Sequence, residues 1–340
     1  MKEVVITVGT PFSINQWNML CKNESNFLQS TYYDNVAKQA NNIPIYFNYI
    51  KDDKIKGGVK CFYWQSKKLQ FLISLINKPL HVFGEPIIDK LTNEERNHLI
   101  SEFNKYISDS KFTEIKIKGF FGFDKQVFRL TNYTHSTLQT AYIDITLPED
   151  EIWLKIHPTH RRYIKKATKN PRISFSIENE LFSEFHKVLL KTYEGQDNIK
   201  PPDYDYLYLF YKTFYDLDML DLCFVKQNTD YEDCFLNAVL AIRYGKKVFY
   251  VYGGNVKNNL GTGVYIHWEM IKYYKQLGFN DVHLGALSVN DPNNKKGNTV
   301  ADFKLKLGSY QKKFVVEQKM ASHVNRTIWK FMKTIYNGNK

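Results

Sequence analysis

The chain has 340 residues, 47 Lys and Arg against 35 Asp and Glu, and a formal charge of +12. Its 43% hydrophobic content and its 24 Tyr and 24 Phe supply a sizeable core and exclude a disordered chain, at a length suited to one large domain or two of ordinary size. The four cysteines, Cys21, Cys61, Cys223 and Cys234, are scattered with no C-x-x-C pair, which argues against a zinc ribbon or a disulfide scaffold.

The N-terminus MKEVVITVGTPF is too short and polar for a signal peptide, and no apolar run reaches the ~18 residues of a membrane helix. A cytoplasmic protein is expected, and no metal site. The basic excess predicts an anionic partner: phosphates, nucleic acid or an anionic membrane face.

Ile45–Pro86 carries apolar, β-rich runs between polar breaks at KDDK and QSKK, and predicts a three-stranded antiparallel meander. A helix is expected over Asn93–Ser108, with Leu99, Ile100, Phe103, Tyr106 and Ile107 as its apolar stripe, then a strand over Glu114–Phe120. The same plan returns in the second half. Leu220–Gly254 predicts a second meander, with breaks at KQNTDYED and YGKK. Gly263–Leu277 predicts a helix, with Val264, Trp268, Ile271 and Tyr274 at helical spacing and Gly278 at its C-cap. Asp281–Leu287 predicts the closing strand. Helical segments around Ser30–Ala40 and Ser183–Tyr193 precede the two copies. The expected fold is α/β with mixed sheets, duplicated, with a boundary near Leu147–Trp153 where LPEDEIW supplies Pro and acids.

Four segments carry candidate chemistry. THRRYIKKATK, Thr159–Lys169, holds Arg161, Arg162, Lys165, Lys166 and Lys169 and no acid. The i, i+4 spacing puts Arg161, Lys165 and Lys169 on one helical face, and like charges so placed cost stability. A phosphate-bearing partner would offset that cost, or the face is solvated and tolerates it. His157 and His160 precede it as H-P-T-H and read as a helix entry, not a metal pair. NNLGTG, Asn258–Gly263, places Gly261 and Gly263 before a helix N-terminus, where a pyrophosphate fits or where a plain strand-to-helix turn suffices. NTVADFKLKLG, Asn298–Gly308, alternates Phe303, Leu305 and Leu307 with Lys304 and Lys306 and reads as a strand with one basic face. A lysine beside packed aromatics there could stabilise an oxyanion, or serve as an edge lysine against aggregation. No G-x-S-x-G or H-E-x-x-H motif is present.

The order of these segments resembles the FemABX peptidyltransferases, over nearly the whole chain. The segments that carry the likeness are NFLQSTYYDNVAKQ, GEPII at Gly84–Ile88, IWLKIHPTHRRYIKKATKN, KTYEGQDNIKPPDYDYLYLF, VLAIRYGKKVFYVYGGN, GVYIHWEMIKYYKQLGF and DFKLKLG. No insertion stands where some members carry a coiled-coil arm, so the chain is similar to the compact members. The resemblance implies two tandem GNAT-like domains (acyl-CoA N-acyltransferase-like), over 1–150 and 151–340. It implies an aminoacyltransferase that moves an amino acid from aminoacyl-tRNA to an amine of a nucleotide- or lipid-linked cell-wall precursor. No bound cofactor is implied. A monomer is expected, with peripheral contact at the inner membrane face.

The resemblance also carries roles. The family's Phe-Lys pair falls on Phe303–Lys304, whose lysine is associated with transition-state stabilisation. A strand tyrosine facing the substrate falls on Tyr250. A basic residue before proline, associated with precursor phosphates, falls on Lys200. Tyr33 stands at the position of a family Trp. The N-terminal phosphate lysine would fall on Ala37, one position from Lys38. The family's acid at the strand end is missing from His283-Leu284-Gly285-Ala286. The basic helix Arg161–Lys169 would receive tRNA phosphates. Two rival readings stand beside this one: a GNAT-like transfer from acyl-CoA to an amino sugar in surface polysaccharide synthesis, with Gly261 and Gly263 at the pyrophosphate, and a non-enzymatic anion or RNA binder.

Overall fold

The computed structural model describes residues 4–64, 79–84, 86–110, 112, 114–118, 134–194, 200–229, 233–287, 295–319 and 327. They form two compact units, residues 1–138 with 313–340, and residues 139–312. Among the described residues, no helix is long and apolar enough to cross a membrane. The QSKK break, the run LQFLISLI after it, Glu85, the end of the expected Glu114–Phe120 strand and residues 195–199 lie outside the described residues.

Among the described residues, the first unit contains a six-stranded mixed sheet. Its strands are β1 (Val4–Gly9), β2 (Asn42–Lys51), β3 (Lys54–Trp64), β4 (Pro79–Phe83), β5 (Glu114–Lys118) and β12 (Tyr310–Lys319). They lie in that order, antiparallel throughout except for the parallel pair β4–β5. The expected meander is β2–β3–β4, and the expected helix is α3 (Asn93–Asp109). Thr92 and Glu95 close a reciprocal capping box at the start of α3. Leu99, Phe103 and Ile107 of its stripe are buried against Phe47, Val59, Leu80 and Val82 of the sheet. The chain reaches β2 through α1 (Ile14–Asn23), a 3-10 turn (Thr31–Tyr33) and α2 (Asp34–Gln39).

A buried ion pair ties that entry to the sheet. Lys60 on β3 is fully buried. Its ammonium lies 3.0 Å from Asp34 Oδ1 and donates to the Ser30 carbonyl. Tyr46 Oη donates to the other oxygen of Asp34 at 2.5 Å. The Lys60 ammonium also stands 4.9 Å from the centre of the Phe62 ring and 5.8 Å from that of Tyr33. Burial pulls the lysine below its ordinary range, and Asp34 opposes that pull.

The second unit repeats the plan. Its strands are β6 (Thr134–Asp144), β7 (Ile173–Ile177), β8 (Leu220–Asn228), β9 (Asp233–Tyr244), β10 (Lys247–Asn255) and β11 (Asp281–Leu287), in the order β6-β11-β10-β9-β8-β7. Only β10–β11 is parallel. Its helices are α4 (Glu149–Lys155), α5 (Pro158–Thr168), α6 (Phe182–Tyr193), α7 (Tyr204–Tyr215), α8 (Thr262–Gln276) and α9 (Lys295–Lys306). The core gathers Ile143, Ile164, Val239, Val248, Ile271 and Val282, among others.

Two expectations are corrected. DFKLKLG does not form a strand: Lys295–Lys306 is helix α9. The alternation Phe303, Leu305, Leu307 is also an i, i+4 pattern, pairing Ala301 with Leu305 and Phe303 with Leu307, so five residues cannot separate the two periods. Gly308 stops the helix at φ +80°, with its N–H on the Leu305 carbonyl at 3.0 Å. The units also divide differently from 1–150 and 151–340, because the two repeats exchange their last strands. β6, which follows β5 in the chain, pairs with β11, whereas β12, which follows β11, pairs with β5.

Candidate functional site

The site lies where β10 and β11 part. These parallel strands pair only at Lys247–Asp281, Val248–Val282 and Phe249–His283. Beyond those pairs, β10 shifts register against β9 between Tyr250 and Tyr252, and β11 shifts register against β6 between His283 and Gly285. Each bulge adds one residue and turns its strand away. Gly285 takes φ +84°, a conformation that other residues rarely adopt.

Lys304 of α9 reaches this opening. Its Nζ donates to the Ala286 carbonyl at 2.9 Å. A Cβ at Gly285 would stand 3.6 Å from the same ammonium. Lys304 is half-buried, and desolvation pulls its amine down to about 8. It therefore remains mainly cationic at neutral pH, at the point where β10 and β11 part.

Aromatic rings line the approach. His267 of α8 is buried, with its ring 5.5 Å from Tyr250 and 5.5 Å from Phe303. Phe303 packs 5.1 Å from His160, whose Nε2 lies 3.3 Å from the Phe303 carbonyl. Burial, then the Lys304 charge, then His160 hold His267 down at about 4, so it is neutral at neutral pH. Desolvation pushes the Tyr250 phenol up to about 12, and it keeps its proton.

His267 takes up a proton on unfolding at mildly acid pH, since its folded value lies below the ordinary 6.5. Its stabilisation is fully present above 6.5 and is lost as pH falls toward 4. The shift corresponds to about 3 kcal/mol at the acid end. Urea denaturation across this range is expected to show that fall, and His267→Phe is expected to flatten it.

Tyr250 is seated by glycine. A Cβ at Gly253 would stand 1.9 Å from the Tyr250 hydroxyl oxygen. Gly253→Ala is therefore expected to displace the phenol and lower activity, with thermal unfolding within a few degrees of wild type. Gly254 admits α6 in the same way, since a Cβ there would meet the backbone of Val188 and Leu189 at 2.7 Å.

The structure thus brings Phe303, Lys304 and Tyr250 together through His267. In the sequence His267 reads as a packing residue. Lys200 is exposed, ahead of α7, and forms no ion pair among the described residues. Tyr33 lies in the first unit, half-buried, edge-on to Phe27 and Phe62. Lys38 is exposed on α2, whereas Ala37 is buried. His283 belongs to the core, 4.7 Å from the Tyr142 ring and 5.5 Å from Phe249.

The basic segment is helix α5, with Pro158 in its first turn and His157 as N-cap, accepting from the Thr159 N–H at 3.3 Å. His160, Ile164 and Ala167 face inward. None of the five cations forms an ion pair among the described residues. Lys166 donates instead to the Asn259 carbonyl at 2.7 Å. Gly261 takes φ +84°, and a Cβ there would stand 2.5 Å from the Tyr163 carbonyl oxygen, so α5 packs directly on this turn. Gly263 faces Asn255 and Asn237, which a Cβ would meet at 3.6 and 3.8 Å.

No protein-family model and no curated protein sequence matches the chain. Solved structures do. FemX is 14% identical, with a TM-score of 0.76 over 96% of this chain and 99% of that one. L-PGS from Bacillus licheniformis is 11% identical, with a TM-score of 0.55 over 98% of both chains. A tandem GNAT protein from the clavulanic acid biosynthesis pathway is 7% identical, with a TM-score of 0.55 over 94% of this chain and 99% of that one. The two repeated units, the second with its parallel strands β10 and β11 parted at the site, thus have the tandem GNAT fold, and over nearly its whole length the chain is similar in fold to FemX.

Proposed function

We propose that this chain is an aminoacyltransferase that moves an amino acid from aminoacyl-tRNA to an amine of a peptidoglycan or related cell-wall precursor. The observation that carries this reading is the half-buried Lys304 ammonium beside Phe303, held at the Ala286 carbonyl where β10 and β11 part. Likeness to the FemX fold supports it.

In the proposed reaction the acceptor amine attacks the ester carbonyl of the donor. The Lys304 ammonium stabilises the tetrahedral oxyanion. The C–O bond to the ribose then breaks, and the amine's proton passes to the leaving ribose oxygen. Tyr250, neutral and next to His267, orients the amine or relays that proton. The donor carries its own activated ester, so no covalent enzyme intermediate is needed, and positioning supplies much of the rate. Lys200 would hold acceptor phosphates, and α5 would take the tRNA backbone through phosphate contacts without base specificity.

The test is incubation with charged tRNA and a nucleotide-linked or lipid-linked peptidoglycan precursor, read by mass spectrometry. The precursor is expected to gain one aminoacyl residue. A second reading, acyl-CoA transfer to an amino sugar, draws on the N-terminus of α8, whose N-cap Gly261 offers no side-chain cap. Packing of Tyr163 on Gly261 weighs against it. Calorimetric binding of acetyl-CoA, with no transfer from charged tRNA, would favour the second reading.

A further inference from the structure

A groove of about 810 Å³ opens on the second unit between α4, α5 and α8. Its floor is aromatic. Trp268 is buried, and its ring lies 5.0 Å from that of the half-buried Trp153 at 59°. Trp268 therefore packs at a tilt against Trp153 and fixes its position. One lip carries Lys165 of α5 and its C-cap residue Lys169, four residues apart and both exposed. The Lys165 ammonium stands 5.9 Å from the centre of the Trp153 ring. The other lip carries Glu149 and Asp150, in the first turn of α4.

We infer that this groove seats an unpaired nucleobase of an RNA, stacked on Trp153, with the adjoining phosphates on Lys165 and Lys169. This deepens the proposed function and rests on its reading of the donor as a tRNA. Three features favour this occupant. The four cations of α5 and Lys169 at its C-cap lack ionic partners among the described residues, and like charges one turn apart are relieved by a polyanion. A flat, rigid indole beside a cation suits stacking of a base whose phosphate lies next to it. The two carboxylates accept only, so they repel phosphate and take the amino hydrogens of cytosine, adenine or guanine. The carbonyl-rich edge of uracil is disfavoured there. A cationic ligand is disfavoured too, because Lys165 and Lys169 already charge that lip.

The test uses the full chain with uncharged, single-stranded oligoadenylate, oligocytidylate and oligouridylate, and with inorganic polyphosphate. Intrinsic Trp quenching and fluorescence anisotropy are read across a salt series. Oligoadenylate and oligocytidylate are expected to quench emission and bind about tenfold tighter than oligouridylate. Trp153→Leu is expected to abolish most of the quenching and weaken binding about tenfold, with the salt slope unchanged. Trp153→Phe keeps a stacking face and is expected to retain most of the affinity, which separates stacking from damage to the fold. Lys165→Met is expected to reduce the salt slope by about one. The proposal is overturned if polyphosphate binds as tightly as the oligonucleotides and Trp153→Leu changes neither readout. Anionic vesicles that quench Trp153 where RNA does not would overturn it in favour of a membrane face. Because these RNAs carry no amino acid, the two readings fail separately. Binding with no aminoacyl transfer sinks the enzyme reading alone, and transfer with no Trp153 dependence of binding sinks the groove alone.

Discussion

Lys304→Ala is expected to lower the aminoacyl-transfer rate by about 10²–10³, the usual effect of removing one donor to a developing oxyanion. Acceptor affinity, measured separately by calorimetry, is expected to stay near wild type, because the contact is made mainly in the transition state. The environment of the lysine adds a second expectation. Its amine is pulled down to about 8 by desolvation, so the reactive cation is present below that value and is lost as pH rises through it. The transfer rate should therefore fall in mildly alkaline solution, far below the ordinary lysine range. Lys304→Arg keeps the charge at all these pH values and should remove the alkaline fall from whatever activity it retains. A rate unchanged in Lys304→Ala would sink the role.

The second large effect concerns stability. Asp34→Ala is expected to cost about 3–5 kcal/mol in urea unfolding, because it leaves the fully buried Lys60 ammonium without its counter-charge. The Ser30 carbonyl still accepts from it but carries no full charge. The partner change, Lys60→Met, should cost less. It leaves a carboxylate near the surface that still accepts from Tyr46, and the methionine fills the lysine's space among Phe62 and Tyr33. Combining the two should recover part of the Asp34→Ala loss. If Asp34→Ala costs no more than Lys60→Met, the lysine is neutral in the fold and the pair is an ordinary hydrogen bond.

Much of the fold is legible in the residues, for local reasons. The two meanders announce themselves by β-branched and aromatic runs between Lys-rich turns. Helix α8 carries both its stripe and its stop, with Gly278 at φ +77°. Helix α9 is read as a strand because Phe303, Leu305 and Leu307 satisfy both periods. Gly308 is the signal that would have separated them, since a left-handed glycine after the last apolar residue is a helix stop.

The site is less legible, for physical reasons. Lys304 emerges from a family resemblance and not from its spacing. His267 cannot be placed beside it from sequence, because α8 and α9 are brought into contact only by the folded unit. The parting of β10 and β11 rests on two bulges. Their only traces in the sequence are Gly253–Gly254 and Gly285, glycines inside strand patterns, which mark bulges or close backbone approach. Helix α5 is plain as a charged element. That Lys165 and Lys169 look toward Trp153, while Lys166 is engaged by the Asn259 carbonyl, follows only from packing.

The exchange of closing strands bears on how the protein is made. The second unit, residues 139–312, is a single stretch of chain and has all its strands once β11 has emerged from the ribosome. The first unit is begun earlier and finished later. Its β5 waits for β12, which is synthesised only after the second unit is complete. Until then, β5 presents unpaired backbone groups along one edge, a template for pairing with other chains. The usual N-to-C order of domain completion during synthesis is thus inverted. The N-terminal half therefore keeps an unpaired strand edge until the last described strand is made.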